Sequence, residues 1–369
     1  MRKVLKVIGG LALGLVLLVV VLLGAALGYR AWRVHQRAVE TALHGPFAIQ
    51  EARFVRIGGL DQWISIRGQD RRNPVLLVVH GGPGGSMVPN QYLLRSWERD
   101  FTVVQWDQRG AGKTFSRAGA DGTGKLSLDL IAGDGLQVAD WLRAHLHKAK
   151  LVLVGHSWGT MVASEMARRR PDLFSAYVGT GVVVDAVRGE AMGYQMLARR
   201  VRADGDGKAL ADLQRIGPPP YKTMADLFAE RRILFAHPPV SERDRQARQN
   251  NSGLFEPELS LRDGYLYSAA EKYSEDQLYD AIIHYDAYAR GVSFQCPVFV
   301  FQGAEDAQTA TPLAVEYFNR LQAPHKELAL LPGGGHFAIT SEPALFLKEL
   351  DARVRPLALA ADAAATPRP

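Results

Sequence analysis

The sequence predicts an α/β protein: a mostly parallel central sheet flanked by helices, split by a helical insertion and led by an apolar N-terminal helix. Three observations carry this expectation. Short apolar, β-rich runs alternate with helical stretches from about Ala52 to Gly181, the pattern of a sheet covered on both faces. That rhythm stops over 183–291 and returns at Val298. Finally, Val7 to Leu27 contains no charged residue.

The N-terminal run supplies the ~20 apolar residues needed to cross ~30 Å of hydrocarbon. Arg2, Lys3 and Lys6 precede it, and Arg30, Arg33 and Arg37 follow it. Similar positive charge at both ends leaves orientation undecided by charge bias. A secretory signal peptide remains the alternative, with small residues at Ala26 and Gly28 as a cleavage site. The run exceeds the ~7–15 apolar residues of such a peptide, so residues 1–30 are read as a transmembrane anchor. The remainder of the chain is expected on the exported, periplasmic or extracellular side.

Phe54–Ile57 and Trp63–Ile66, joined through Gly58-Gly59, read as a hairpin. Val75–Val79, Phe101–Trp106, Leu151–Val154 and Ala176–Gly181 read as buried strands, with helices over Leu136–Leu146 and Thr160–Arg169 between them. Residues 48–182 therefore form the first part of the core. Residues 183–291 form a helical cap broken at Pro218-Pro219-Pro220 and Pro238-Pro239. Strands return at Val298–Phe301 and Glu327–Leu331, so 292–355 completes the core. The Ala-rich stretch 356–369 has no patterned face to bury and reads as a disordered tail.

The chain has 369 residues, of which 47% are hydrophobic and 22% charged, enough for one core with an insertion. The net charge of +6 is scattered and partly membrane-flanking, so no nucleic-acid partner is expected. A single cysteine, Cys296, excludes an intramolecular disulfide and a cysteine-based metal site. Neither a metal nor an organic cofactor is expected.

Gly155-His156-Ser157-Trp158-Gly159 fits G-x-S-x-G between a strand and a helix. Such a turn exposes the nucleophile and aims helix N–H groups at developing negative charge, and its glycines avoid collisions. Partners follow in the order Ser, acid, His. Asp306 lies in Gly303-Ala304-Glu305-Asp306, just past a strand. His336 lies in Pro332-Gly333-Gly334-Gly335-His336-Phe337, past the last strand. Both fall at the strand ends where α/β sheets build sites. His336 is the candidate general base, and Asp306 would orient it, with adjacent Glu305 as the competing acid. His80-Gly81-Gly82-Pro83-Gly84-Gly85, after another strand, suggests a second oxyanion donor. The expected donors are the backbone N–H groups of Gly82 and Trp158. A phosphate-cradling loop is the rival for so much glycine, but no Gly-Lys-Ser/Thr completes it.

These segments, together with Asp107-Gln108-Arg109-Gly110-Ala111-Gly112, resemble the serial signatures of the proline iminopeptidase family from about residue 50 to 355. The resemblance implies an α/β-hydrolase fold with a helical cap, removing N-terminal proline or other residues from short peptides. It also implies catalytic roles for Ser157, Asp306 and His336. The Asp107–Gly112 segment is read as a structural turn with Arg109 buried and hydrogen-bonded. The family usually carries a Trp-rich cap motif with a glutamate for the substrate ammonium. This cap contains no tryptophan. Glu190, Glu230 and Glu271 are candidate carboxylates, none placed by sequence.

The leading expectation is a serine hydrolase forming an acyl-enzyme, an aminopeptidase on small peptides. A membrane-associated carboxylesterase or lipid hydrolase is the alternative, which the anchor would suit. A non-catalytic binding protein on a hydrolase scaffold is a third class, whose expected mark is a lost member of the Ser–His–Asp set. Epoxide hydrolase and dehalogenase chemistry are disfavoured because Ser157 stands where those relatives present an aspartate.

Overall fold

The computed structural model describes residues 2–221, 223–243 and 253–365. One sheet contains β1 (Ile49–Ile57), β2 (Leu60–Gly68), β3 (Val75–Val79), β4 (Thr102–Asp107), β5 (Leu151–His156), β6 (Phe174–Thr180), β7 (Val298–Gly303) and β8 (Lys326–Leu331). Their order is β1-β2-β4-β3-β5-β6-β7-β8. β1 and β2 are antiparallel, as are β2 and β4. All pairings from β4 through β8 are parallel. The β1–β2 turn holds both Gly58 (φ 53°) and Gly59 (φ 76°) at positive φ. Two such residues suit the right-handed twist of a tight hairpin.

Side-chain alternation along the strands divides the interior in two. Val75, Leu77 and Val79 join Leu151 and Leu153 on one face, under α3 (Leu128–Leu146) and α4 (Trp158–Arg169). Leu76 and Val78 join Val152, Val154 and Phe301 on the other. Period-two alternation with both faces apolar gives the continuous runs seen in the sequence. α3 begins eight residues before Leu136, because the Ser127 hydroxyl accepts from Leu130 N and caps it. In the first part of the core, a 3-10 helix over Val88–Arg99 and α2 (Gly112–Thr123) carried no sequence signal.

Between β6 and β7 the chain forms α5 (Ala186–Ala203), α6 (Gly207–Ile216), α7 (Met224–Ala236), α8 (Leu261–Ile283) and the short α9 (Ala287–Arg290). Each N-terminus is capped by a short polar side chain, and Ser260 with Asp263 forms a reciprocal capping box on α8. Leu197, Val201, Leu213 and Leu234 form a small apolar centre that closes on Ala307 of the core. After β7 come α10 (Thr311–Arg320), α11 (Ala338–Ser341) and α12 (Pro343–Glu349).

The expectation of a disordered tail from residue 356 is corrected over most of its length. Arg355–Ala365 is a helix, α13. It buries Ala358, and Asp362 pairs with Lys148 at 2.9 Å. Alanine-rich sequence needs little apolar area to remain helical once tertiary contacts hold it. Residues 366–369 lie outside the described residues.

At the other terminus, α1 (Arg2–Glu40) is one continuous helix. Within Ile8–Glu40 an 18-residue stretch has a mean hydropathy of 2.9 and is unburied, so the helix is long and apolar enough to cross a membrane or to serve as a signal sequence.

Candidate active site

The loops after β3, β4, β5, β7 and β8 gather at one edge of the sheet. Ser157 stands between β5 and α4 at φ 55° and ψ −126°, left-handed backbone that a residue with a Cβ rarely adopts. Its neighbours permit the turn. A Cβ on Gly159 would lie 2.1 Å from the Val79 carbonyl oxygen, and one on Gly155 2.6 Å from that of Gly159. The Ser157 backbone N–H donates to Thr180 O, and the Thr160 hydroxyl donates to Ser157 O, holding both sides of the bend.

Ser157 Oγ lies 2.9 Å from His336 Nε2, and His336 Nδ1 lies 3.1 Å from Asp306 Oδ2. All three residues are buried. Asp306 also accepts from Gln308 N and Thr309 N on one oxygen, and from Gln302 Nε2 and the Thr309 hydroxyl on the other. Burial pushes the Asp306 carboxyl up, but the facing imidazole and these donors outweigh it and hold it below the usual value. Glu305, the competing acid, turns outward and lies 3.8 Å from Arg200. The contacts therefore join Ser157, His336 and Asp306 and leave Glu305 aside.

Gly82 and Trp158 line one small cavity with Ser157. A polar network fixes the Gly82 loop against the start of α4. Trp158 Nε1 donates to Gln108 Oε1, Gln108 Nε2 donates to His80 O, and Gln108 N donates to His80 Nε2. Burial pushes the His80 imidazole down to about 4, so it is neutral at pH 7 and can accept that N–H. Arg109, in the same segment, pairs with Asp134 and donates to Gly58 O. It braces the hairpin from inside the fold and does not line the cavity. Cys296 is buried, and burial pushes its thiol up to about 11, which leaves it a packing residue.

Two lobes meet at Ser157, Gly82 and Gln308. The lobe of about 140 Å³ runs under α5 past Val182 and Leu313 to Glu190 and Arg231. The other, about 260 Å³, lies beside His336 and is bordered by Met87, Phe337, Tyr267 and Glu271. The candidate cap carboxylates now separate. Arg231 pairs with both Glu190 and Glu230, and Glu230 is buried away from solvent. Among the described residues no cation pairs with Glu271. Burial, with Glu275 adding repulsion, pushes its carboxyl above the ordinary value. Gln308 Oε1 is also buried without a hydrogen-bond partner. The cap further steadies His336: the Glu242 carboxylate accepts from Phe337 N at 2.7 Å, and the Ser241 hydroxyl donates to Gly333 O.

Gln302, Thr309, Gln308, Tyr267 and Glu242 were invisible to sequence reasoning. Only the Asp306 loop offered a signal, since Thr309 follows the acid at the spacing of a side-chain-to-backbone turn. Among the described residues no group of three or more His, Cys, Asp or Glu side chains could hold a metal ion.

A family model described as the alpha/beta hydrolase fold matches residues 74–343. A Bacillus subtilis (strain 168) protein named "Probable aminopeptidase YbaC" is 30% identical over 311 residues, covering 81% of this chain and 94% of its own. The crystal structure of a proline iminopeptidase-related protein from Thermus thermophilus superposes with a TM-score of 0.58 at 21% identity, covering 86% of this chain and all of its own. That of a membrane phospholipase A superposes with a TM-score of 0.60 at 19% identity, covering 97% of this chain and 99% of its own. On the sheet order, the matched span and the full-length relative, the chain belongs to the α/β-hydrolase fold family and is similar within it to the aminopeptidases of the proline iminopeptidase group.

Proposed function

We propose that the protein is a serine hydrolase that releases N-terminal residues from small peptides through an acyl-enzyme, held at a membrane by α1 with its catalytic domain exported. The hydrogen-bonded series Ser157–His336–Asp306 is the observation that carries the chemistry. His336 Nε2 takes the hydroxyl proton as Ser157 Oγ bonds to the scissile carbonyl carbon. The oxyanion is met by the backbone N–H groups of Gly82 and Trp158, each such donor contributing about 2.7–4 kcal/mol to the transition state. His336 then gives its proton to the departing amine as the C–N bond breaks. Water attacks the ester, its proton goes to His336, and Ser157 leaves reprotonated. Asp306 holds the imidazole in the tautomer that makes Nε2 an acceptor and stabilises its cation.

The aminopeptidase reading is supported by the relative named an aminopeptidase and by Glu271. A protonated α-amine brings three N–H donors and a positive charge. An unpaired carboxylate and the orphaned Gln308 acceptor, both lining the Ser157 cavity, suit those needs. An activated serine-directed phosphonate is expected to label Ser157 and to leave Ser157→Ala unlabelled. Labelling that persists in the variant removes the nucleophile assignment.

One observation favours ester or lipid hydrolysis as a second reading. An apolar cavity of about 470 Å³ within the cap, walled by Leu227, Tyr279 and Ile283, shares Ala186, Glu190 and Ile282 with the smaller lobe. Turnover of prolyl-arylamide against short-chain p-nitrophenyl esters separates the two. Ester hydrolysis alone rejects the peptidase reading.

A further inference from the structure

The membrane helix is not joined to the domain by a slack linker. Directly after its apolar span, Tyr29 meets Phe255 edge-on, the Arg33 guanidinium lies 5.3 Å above the same ring, and Arg30 Nη2 donates to Leu259 O at 2.7 Å. Further along, Arg37 stacks on Tyr92, and the Thr41 carbonyl accepts from Arg67. The cap segment receiving these contacts is itself fixed to the core. Gln91 donates to Glu256, the Ser65 hydroxyl donates to Glu258, and Lys113 donates to the Glu258 carbonyl. Where α1 leaves the hydrocarbon, around Leu27 to Tyr29, the cap is therefore held at the same level.

At that level the cap exposes apolar side chains. Leu254 is 55% exposed, Leu261 50% and Tyr265 84%. Leu261 and Tyr265 stand one turn apart on α8, so they share a face, and Leu254 adjoins the Phe255 ring that α1 grips. Trp32 and Tyr29 on α1 are also exposed beside them. Aromatic rings with polar edges favour the headgroup layer, and adjoining exposed apolar residues on a soluble surface mark a contact site. We infer that Leu254, Leu261 and Tyr265 form a second membrane contact, resting in the headgroup layer of a phospholipid bilayer beside the anchor. The inference relies on α1 being retained as a membrane anchor.

This contact bears on substrate. Tyr267 and Glu271, which border the larger lobe at Ser157, follow Tyr265 on the same helix. Substrates that partition into the interface, such as amphipathic peptides, would be delivered within about two helical turns of the site.

The single native cysteine makes the test direct. In a Cys296→Ala background of the full chain, Tyr265→Cys, Leu330→Cys and Leu27→Cys carry an environment-sensitive fluorophore in phosphatidylcholine–phosphatidylglycerol vesicles. Leu330 is exposed on β8, at the sheet edge remote from β1 and β2. The expected result is blue-shifted emission and quenching by headgroup-proximal nitroxide lipid at 27 and 265, with neither at 330. Quenching at 27 but not at 265 overturns the second contact and leaves the anchor standing. No quenching at either overturns both. A cooperative thermal transition for each labelled protein establishes that it is folded.

Discussion

His336 Nε2 lies within 2.9 Å of Ser157 Oγ although 179 positions separate the two residues, and the whole cap is threaded between them. Their approach depends on two strand ends, those of β5 and β8, meeting the same edge of the sheet. Asp306 completes the line from the end of β7, where four donors besides the imidazole already fix its carboxylate.

That fixation makes Asp306→Asn informative. Asparagine keeps the shape but presents an N–H or a weaker acceptor to Nδ1, favouring the wrong tautomer of His336. The expected loss in kcat is about 10³–10⁴-fold with KM little changed. Circular dichroism should be unaltered. Activity within a few-fold of the parent protein would rule out Asp306 as the group that orients the imidazole.

The tight turn at Ser157 yields a stability prediction. In Gly159→Ala the new methyl would overlap the Val79 carbonyl, which belongs to buried β3 and has no room to withdraw. Overpacking of this kind costs about 1–3 kcal/mol or more. Chemical denaturation should show a lower midpoint with an unchanged slope. Gly133→Ala is the comparison, since nothing lies within 4 Å of its added methyl and its backbone is that of α3.

Ser157, Asp306 and His336 stood out as candidates in the sequence because each falls in the turn that follows a sheet strand, β5, β7 or β8, and glycine-rich turns mark the first and the last. The centre of the sheet was legible because β3 and β5 are buried on both faces, so Val75–Val79 and Leu151–Val154 are apolar without interruption. Glu271 was not legible, because its place beside Ser157 depends on how α8 docks against the Gly84–Gly85 loop. A Cβ on Gly84 would lie 2.6 Å from Ala270 O, a proximity no local pattern encodes. Nor was α13, whose burial depends on Ala358 and on an ion pair to a lysine 214 positions earlier.

The burial of Asp107 predicts a pH-dependent component of stability. Burial pushes its carboxyl from 3.8 up to about 6, against the Ser86 hydroxyl and the Lys113 N–H, which favour the ionised form. Between those values the native state holds a proton that the unfolded chain has lost. Stability therefore falls as pH rises through this window and levels off above it. At about 1.36 kcal/mol per unit the full effect is on the order of 3 kcal/mol. Asp107→Asn should remove this component, because the Ser86 hydroxyl can rotate to accept from the new amide. Urea midpoints of the full-length protein in detergent at about pH 4.5 and about pH 7 provide the check. An equal pH response in both proteins would contradict the assignment.

Glu271 offers the sharpest division between the readings of substrate. If its carboxylate holds the ammonium of a peptide, Glu271→Gln removes the charge from a charge-assisted hydrogen bond worth about 1.5–3 kcal/mol. KM for an aminoacyl arylamide should then rise about 10- to 100-fold. Hydrolysis of an acetyl ester, which has no amine, should be unaffected. The pH dependence adds a second signature. Because burial holds this carboxyl above its ordinary value, it takes up a proton earlier as pH falls. Affinity for the amine substrate should weaken on that acid limb in the parent protein, and the limb should vanish in Glu271→Gln. A merely structural role for Glu271 predicts equal losses for amide and ester at every pH, and that outcome would return the larger lobe to an acyl or alkyl group.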